Sequence, residues 1–193
     1  DDKVMAVPIS AAIMGLSYNV ELFEKAGLME ADGTPKQPKD WNEVVEFAKQ
    51  IKEKTGECGF VLPTANNSGG WIFTSLAWSF GAKFMEQQDD GSWKATFNSP
   101  EAAEALQWVK DLKWKYDLLP ANTLIDGEEW YKLFGTGKAG MSIMAGDYPN
   151  RVVTYGMTPD QIGIMATPAG PKAHVTLLTG NIHAVSSKAT DDQ

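Results

Sequence analysis

The sequence predicts an α/β layer architecture, a central sheet flanked by helices. Three observations predict it. Short apolar segments suited to strands alternate along the chain with amphipathic helical segments. Helix-starting and helix-stopping residues bracket those helical segments. Finally, 43% apolar residues in a chain of 193 can bury a sizeable core in one α/β unit spanning residues 1–193.

Taken in order, Val4–Ile9 and Ile13–Tyr18 read as two extended pieces around a small-residue break at Ser10–Ala12. Pro8 argues against a regular central strand there, because it has no N–H to donate. Asn19 suits the N-cap of a short helix, Val20–Ala26, closed by Gly27. After the proline-bearing loop Thr34–Lys39, Asp40–Glu43 has the form of a capping box opening a helix to about Lys54. Trp41, Val44, Val45, Ala48 and Ile51 would be its buried stripe, and Gly56 its stop. Cys58–Leu62 reads as a short strand, and Thr64–Gly70 as a polar loop.

The chain is organised around the stretch Gly69–Gly81, which reads as a helix with two unlike faces. Ile72, Phe73, Leu76 and Phe80 make an apolar stripe, while Trp71, Thr74, Ser75 and Trp78 mix indoles with hydroxyls. The glycine pair would open the helix and leave its first N–H groups accessible. The indoles suit either inter-helix packing or a flat, hydroxyl-rich ligand.

Lys83–Glu86 and Trp93–Phe97 flank Asp90-Gly91 as a hairpin. Ser99-Pro100 gives an N-cap with proline at the first helical position, and that helix runs to about Tyr116. Gly127–Phe134 is a short helix, Ala139–Met144 a buried strand and Gly146–Arg151 a turn or helix start. Gln161–Ala166 is a strand leading into a Pro/Gly loop. Val175–Thr179 and Ile182–Ser186 are extended pieces broken by Gly180-Asn181. Thr190–Gln193 again has the capping-box form, and the helix it would open lies beyond the sequence, so a longer protein is expected.

Composition excludes several function classes. A net charge of −8 without a Lys/Arg cluster argues against nucleic acid and against anionic membrane surfaces. One cysteine allows no disulfide framework, and two histidines make no multi-histidine metal site. No run reaches the roughly 18 apolar residues of a membrane span, and no signal peptide is visible. Gly135–Gly140 matches G-x-G-x-x-G, but a helix precedes it and a strand comes after it, the reverse of a dinucleotide site. No G-x-S-x-G nucleophile motif occurs. Glu128-Glu129 are helix neighbours pointing about 100° apart and suit a helix N-terminus better than a catalytic pair. His174 falls in the Pro/Gly loop, and His183 alternates with Asn181 on one strand face. The residues point to no enzyme, no cofactor and no metal.

The order of the motifs carries a resemblance. A proline-led segment, Pro8–Tyr18, is followed by Asn19, a short helix, Ala26-Gly27-Leu28, and Pro38–Trp41 opening a longer helix. Trp71–Gly81, Phe97–Pro100, Phe134–Met141, Gly146–Tyr148, Thr167–Pro171 and Gly180–Ser187 continue the series over nearly the whole chain. In this the sequence resembles the extracellular solute-binding proteins of ABC importers, the family that includes maltodextrin-binding protein. The resemblance implies a periplasmic-binding-protein-like lobe, the C-terminal of two, with residues 5–18 and 180–187 as hinge crossings. It implies ligand contacts from Trp71, Ser75, Asp147, Tyr148, Gly180 and Asn181. It also implies a monomer that binds a mono- or oligosaccharide between its lobes and hands it to membrane permease subunits. Its place would be periplasmic, or extracellular and lipid-anchored. The glutamate of maltodextrin binders in the first crossing is replaced by Ala12, which weakens a maltodextrin assignment. A non-sugar solute such as a polyamine, phosphate ester or metal chelate is the alternative, and Arg151 is the one obvious contact for an anion.

Overall fold

The computed structural model describes residues 6–146, 149–186 and 188–189. Strand β1 (Val7–Asn19) runs into helix α1 (Val20–Ala26), followed by α2 (Trp41–Thr55), β2 (Cys58–Phe60) and α3 (Asn66–Ser79). The hairpin β3 (Met85–Gln87) and β4 (Trp93–Ala95) precedes α4 (Pro100–Trp114) and α5 (Gly127–Gly135). Strand β5 (Ala139–Ala145), the one-turn α6 (Pro149–Val152), two 3-10 turns (Val153–Tyr155 and Pro159–Gln161), β6 (Ile162–Met165) and β7 (Leu178–His183) complete the described elements. The main sheet has the order β2-β5-β1-β6, with β7 pairing to β1 off that path. Of its described strand pairs only β2–β5 is parallel. The α/β expectation is met, with a mixed sheet.

The caps explain most helix boundaries. Asn19 Oδ1 accepts from the Leu22 N–H, and Gly27 closes α1 in the left-handed region at φ 74°. Asp40 accepts from the N–H groups of Asn42 and Glu43, and Gly56 closes α2. The reciprocal half of the expected capping box is displaced by one residue: Glu43 accepts from the Lys39 N–H instead. Ser99 caps α4 and Asp126 caps α5.

Two expectations fail at strand breaks. Ser10–Ala12 does not divide the first segment: β1 is one strand of 13 residues. Gly180-Asn181 does not break the last one, because β7 runs straight through it. Both have the same cause. Val7–Ile13 pairs with Leu178–His183 as an exposed antiparallel ribbon, with a register irregularity between Pro8 and Ser10. There Pro8 has no partner on a second edge among the described residues, and the register irregularity lies beside it. The inner half of β1, Met14–Asn19, is buried and pairs with β5 on one side and β6 on the other.

The core lies between that inner sheet and the helices. β5 is buried throughout. Phe23, Val44, Ala48 and Ile51 from α1 and α2, Ile72 and Leu76 from α3, and Trp130 and Phe134 from α5 share one buried cluster with it. The G-x-G-x-x-G segment does what its order suggested: α5 ends at Gly135, Gly137 turns at φ 74°, and β5 starts at Ala139.

Candidate functional site

A cleft of about 230 Å³ opens where the ribbon meets the body of the fold. Its floor is Ser10, Ala11 and Ala12 of β1 against Thr179, Gly180 and Asn181 of β7. Ala145, the last residue of β5, and Trp71 of α3 form its sides.

Trp71 is half-buried and packs against the core. It is therefore braced by the fold while its remaining surface lines the cleft. Ser75, one turn further on, is placed differently. It is 4% exposed, and its hydroxyl donates to the Ile72 carbonyl at 3.0 Å. The expected contact from Ser75 is thus taken up by α3 itself, and Ser75 is absent from the lining of the cleft. The position i+4 from Trp71 faces the core because the apolar stripe is wider than the periodicity suggested, running from Ile72 through Ser75 and Leu76 to Ser79.

The glycine pair does not open α3 either. The helix starts at Asn66, and the Gly69 N–H already bonds to the Ala65 carbonyl at 3.2 Å. Gly69 answers a packing need: a Cβ there would lie 2.7 Å from the Thr64 carbonyl carbon. No set of free N–H groups is aimed at the cleft by those glycines.

On the floor, Asn181 is held by Ser10. The Asn181 backbone N–H and side-chain Nδ2 both donate to Ser10 Oγ, at 3.2 and 3.0 Å. That leaves the Asn181 carbonyl oxygen as an acceptor and the Ser10 hydroxyl hydrogen as a donor. Gly180 sits opposite Ala11 so closely that a Cβ would come 2.0 Å from the Ser10 carbonyl oxygen. Ala12 lies opposite Thr179. Asp147 and Tyr148 lie outside the described residues. Trp71, Gly180 and Asn181 are therefore brought together.

Ser10, Thr179 and Ala145 are cleft residues that sequence reasoning missed. The signal was there for Ser10. A small polar residue in a strand can pair with a neighbour across the ribbon, but a run of small residues reads equally well as a break.

The described lining of the cleft is neutral. Among the described residues that line it, none is Asp, Glu, Lys or Arg. Arg151, the candidate for an anion, is engaged elsewhere: it pairs with Glu128 at 3.2 Å and lies over the Tyr131 ring at 5.1 Å. Glu128 also accepts from the Tyr155 hydroxyl at 2.6 Å, which raises the Tyr155 pKa. Among the described residues no group of three His, Cys, Asp or Glu side chains could hold a metal. No helix among them is long and apolar enough to cross a membrane.

Comparison with known proteins agrees with this architecture. A binding protein of Brucella abortus (strain 2308) is 31% identical over 173 residues, 89% of this chain and 39% of its own length. The ABC transporter periplasmic-binding protein YcjN of Escherichia coli (strain K12) is 26% identical over 90% of this chain and 37% of its own length. The structure of maltose-bound T. maritima MalE3 superposes with a TM-score of 0.77 at 27% identity, covering 98% of this chain and 47% of that one. The chain thus spans less than half the length of each of these proteins. The family sequence model matches residues 1–193 in full, and the chain belongs to the bacterial extracellular solute-binding proteins.

Proposed function

We propose that residues 1–193 form the C-terminal lobe of an ABC-importer receptor that closes on a neutral carbohydrate or polyol and delivers it to a membrane permease. The observation that carries this reading is the make-up of the cleft. One indole stands beside hydroxyl and amide groups, with no ionised side chain among the described lining residues. A sugar ring offers apolar C–H faces to an aromatic and a rim of hydroxyls to neutral donors and acceptors. A phosphate ester calls for a cationic contact, and Arg151 is already paired with Glu128. The maltose held by the T. maritima neighbour supports the same class. In the complete receptor, Asp147 and Tyr148, two and three positions after Ala145, add a carboxylate and a second ring. Ser75 acts by fixing α3 rather than by touching ligand.

The ribbon supports the two-lobe part of the reading. Ile13 and its partner Leu178 are 59% and 69% exposed, and Ile182 opposite Pro8 is 67% exposed. An apolar strand pair left open in this way is a surface that folds normally cover. A second lobe reached through residues 5–18 and 180–187 would cover it and supply the other wall of the cleft. Closure would then exclude water and strengthen the polar contacts. The receptor works as a monomer outside the cytoplasm, in the periplasm or tethered to the outer face of the membrane.

The test is tryptophan fluorescence of the complete receptor, titrated with a panel of sugars and polyols, and of its Trp71→Ala variant. Saturable quenching or a blue shift is expected with at least one neutral sugar. Trp71→Ala should weaken that binding by about 30-fold, equivalent to ~2 kcal/mol. A response to an anion or an amine with none to any sugar would overturn the reading.

A further inference from the structure

A second site lies at the opposite end of α3 from the cleft. Trp71 lines the cleft and Phe80 lines this second cavity, nine residues on, or roughly 13 Å along the helix at 1.5 Å per residue. The cavity is about 380 Å³, set between the start of α2, the outer face of α4 and the loop at Ala169–Pro171. Its chemistry is unlike that of the cleft. Four aromatic residues, Trp41, Phe80, Trp108 and Tyr116, share the lining with four carboxylates, Asp40, Glu46, Glu104 and Asp111, and no lysine or arginine.

The arrangement on α4 is specific. Glu104 and Asp111 are four residues before and three after Trp108, so a carboxylate stands on each side of the indole along one helix face. The Trp41 and Trp108 rings meet as a corner, with centroids 5.2 Å apart and planes inclined at 60°. Trp41 is anchored by its indole N–H, which donates to Ser79 Oγ at 2.9 Å. The Trp108 N–H is buried and has no acceptor among the described residues. Glu46 and Asp111 are already matched by Lys49 and Lys115. Glu104 has no ion-pair partner among the described residues. The same surface already holds ammonium groups on an aromatic ring: Lys49 and Lys115 place theirs 4.6 and 4.8 Å from the Tyr116 centroid.

We propose that this cavity binds a small organic ammonium compound. The positive charge sits against the Trp108 ring beside Glu104. Aromatic faces attract ammonium groups through the ring quadrupole, most strongly where water is excluded. A carboxylate beside them adds charge. The proposal does not depend on what the cleft binds.

The test uses the complete receptor, with choline as the probe and 3,3-dimethylbutanol as its uncharged isostere, both measured by calorimetry. Choline is expected to bind saturably and the isostere not at all. Glu104→Gln, an exposed change outside any described ion pair, should weaken choline about twofold to fivefold. Trp108→Leu removes the ring and should weaken it too, while Trp71→Ala should leave it unchanged. Absence of saturable choline binding, or equal binding of the isostere, overturns the proposal. So does loss of binding in Trp71→Ala with none in Glu104→Gln, which would instead place the cation in the cleft. Thermal melts of each variant separate lost binding from lost folding.

Discussion

Ser10 Oγ accepts two hydrogen bonds from Asn181, one from the backbone N–H at 3.2 Å and one from the side-chain amide at 3.0 Å. One hydroxyl thus fixes the ribbon register and orients the amide on the cleft floor. The two functions separate by substitution. Asn181→Ala removes the side-chain bond and keeps the backbone one, whereas Ser10→Ala removes both. A double-mutant cycle in urea should give a coupling of ~0.5–1 kcal/mol, the size of one exposed hydrogen bond. Ligand affinity should fall in both variants, because Ser10→Ala frees the Asn181 amide to rotate and Asn181→Ala removes it.

Gly180→Ala tests how tightly the ribbon is packed. A methyl group there would meet the Ser10 carbonyl oxygen at 2.0 Å and the Ala11 Cα at 3.2 Å, so the strands must part. The buried half of β1 pairs with β5 and β6 and is untouched by the change. Hydrogen exchange should therefore accelerate in Val7–Ala12 and Thr179–His183 while protection persists in Gly15–Tyr18. Uniform loss of protection along β1 would mean that ribbon and core unfold as one unit.

The ribbon residues also mark how far the sequence could be read. Helix ends were legible because caps are local: Asn19, Asp40, Gly56 and Ser99 act on N–H and C=O groups within four residues. The ribbon was not legible as a ribbon. Pro8 and Gly180 look like strand breakers in isolation, and only the pairing of Val7–Ile13 with Leu178–His183, some 170 residues apart, makes them tolerable. Trp71, Gly180 and Asn181 were identified through motif order, and the cleft brings them together. Ser75 shares a face with Trp71 by helical spacing. Its hydroxyl is satisfied inside α3, and spacing cannot reveal which edge of a wide apolar stripe is covered.

Cys58 should react slowly as a thiol. Burial raises its pKa, and the neighbouring Glu57 charge adds to the effect. A raised pKa means less thiolate at any given pH, and thiolate is the reactive form. Alkylation by iodoacetamide at pH 8 should be slower in the native protein than in urea, and the two rates should converge as pH rises. The linkage to stability has a fixed sign. The fold favours the protonated thiol, so this contribution is full below the unfolded thiol's pKa, near about 8.5, and declines as pH rises past it. Faster alkylation of the native form would contradict the burial of Cys58.

Ser17 and Ser142 face each other across β1 and β5 and should respond oppositely to the same change. Both are fully buried. Ser142 Oγ accepts from the Trp130 indole N–H and donates to the Val61 carbonyl, both at 2.7 Å. Ser142→Ala deprives two buried groups of that hydroxyl and should cost ~2–3 kcal/mol. Ser17 Oγ has no hydrogen-bond partner among the described residues, so its hydroxyl is desolvated without return. Ser17→Ala removes that cost and leaves a void of only one oxygen, so stability should stay within ~0.5 kcal/mol or rise. Urea denaturation of the two variants decides the matter. A large loss in Ser17→Ala would mean that its hydroxyl holds a partner, a bound water being the natural one, and that the inner sheet is wetter than its packing implies.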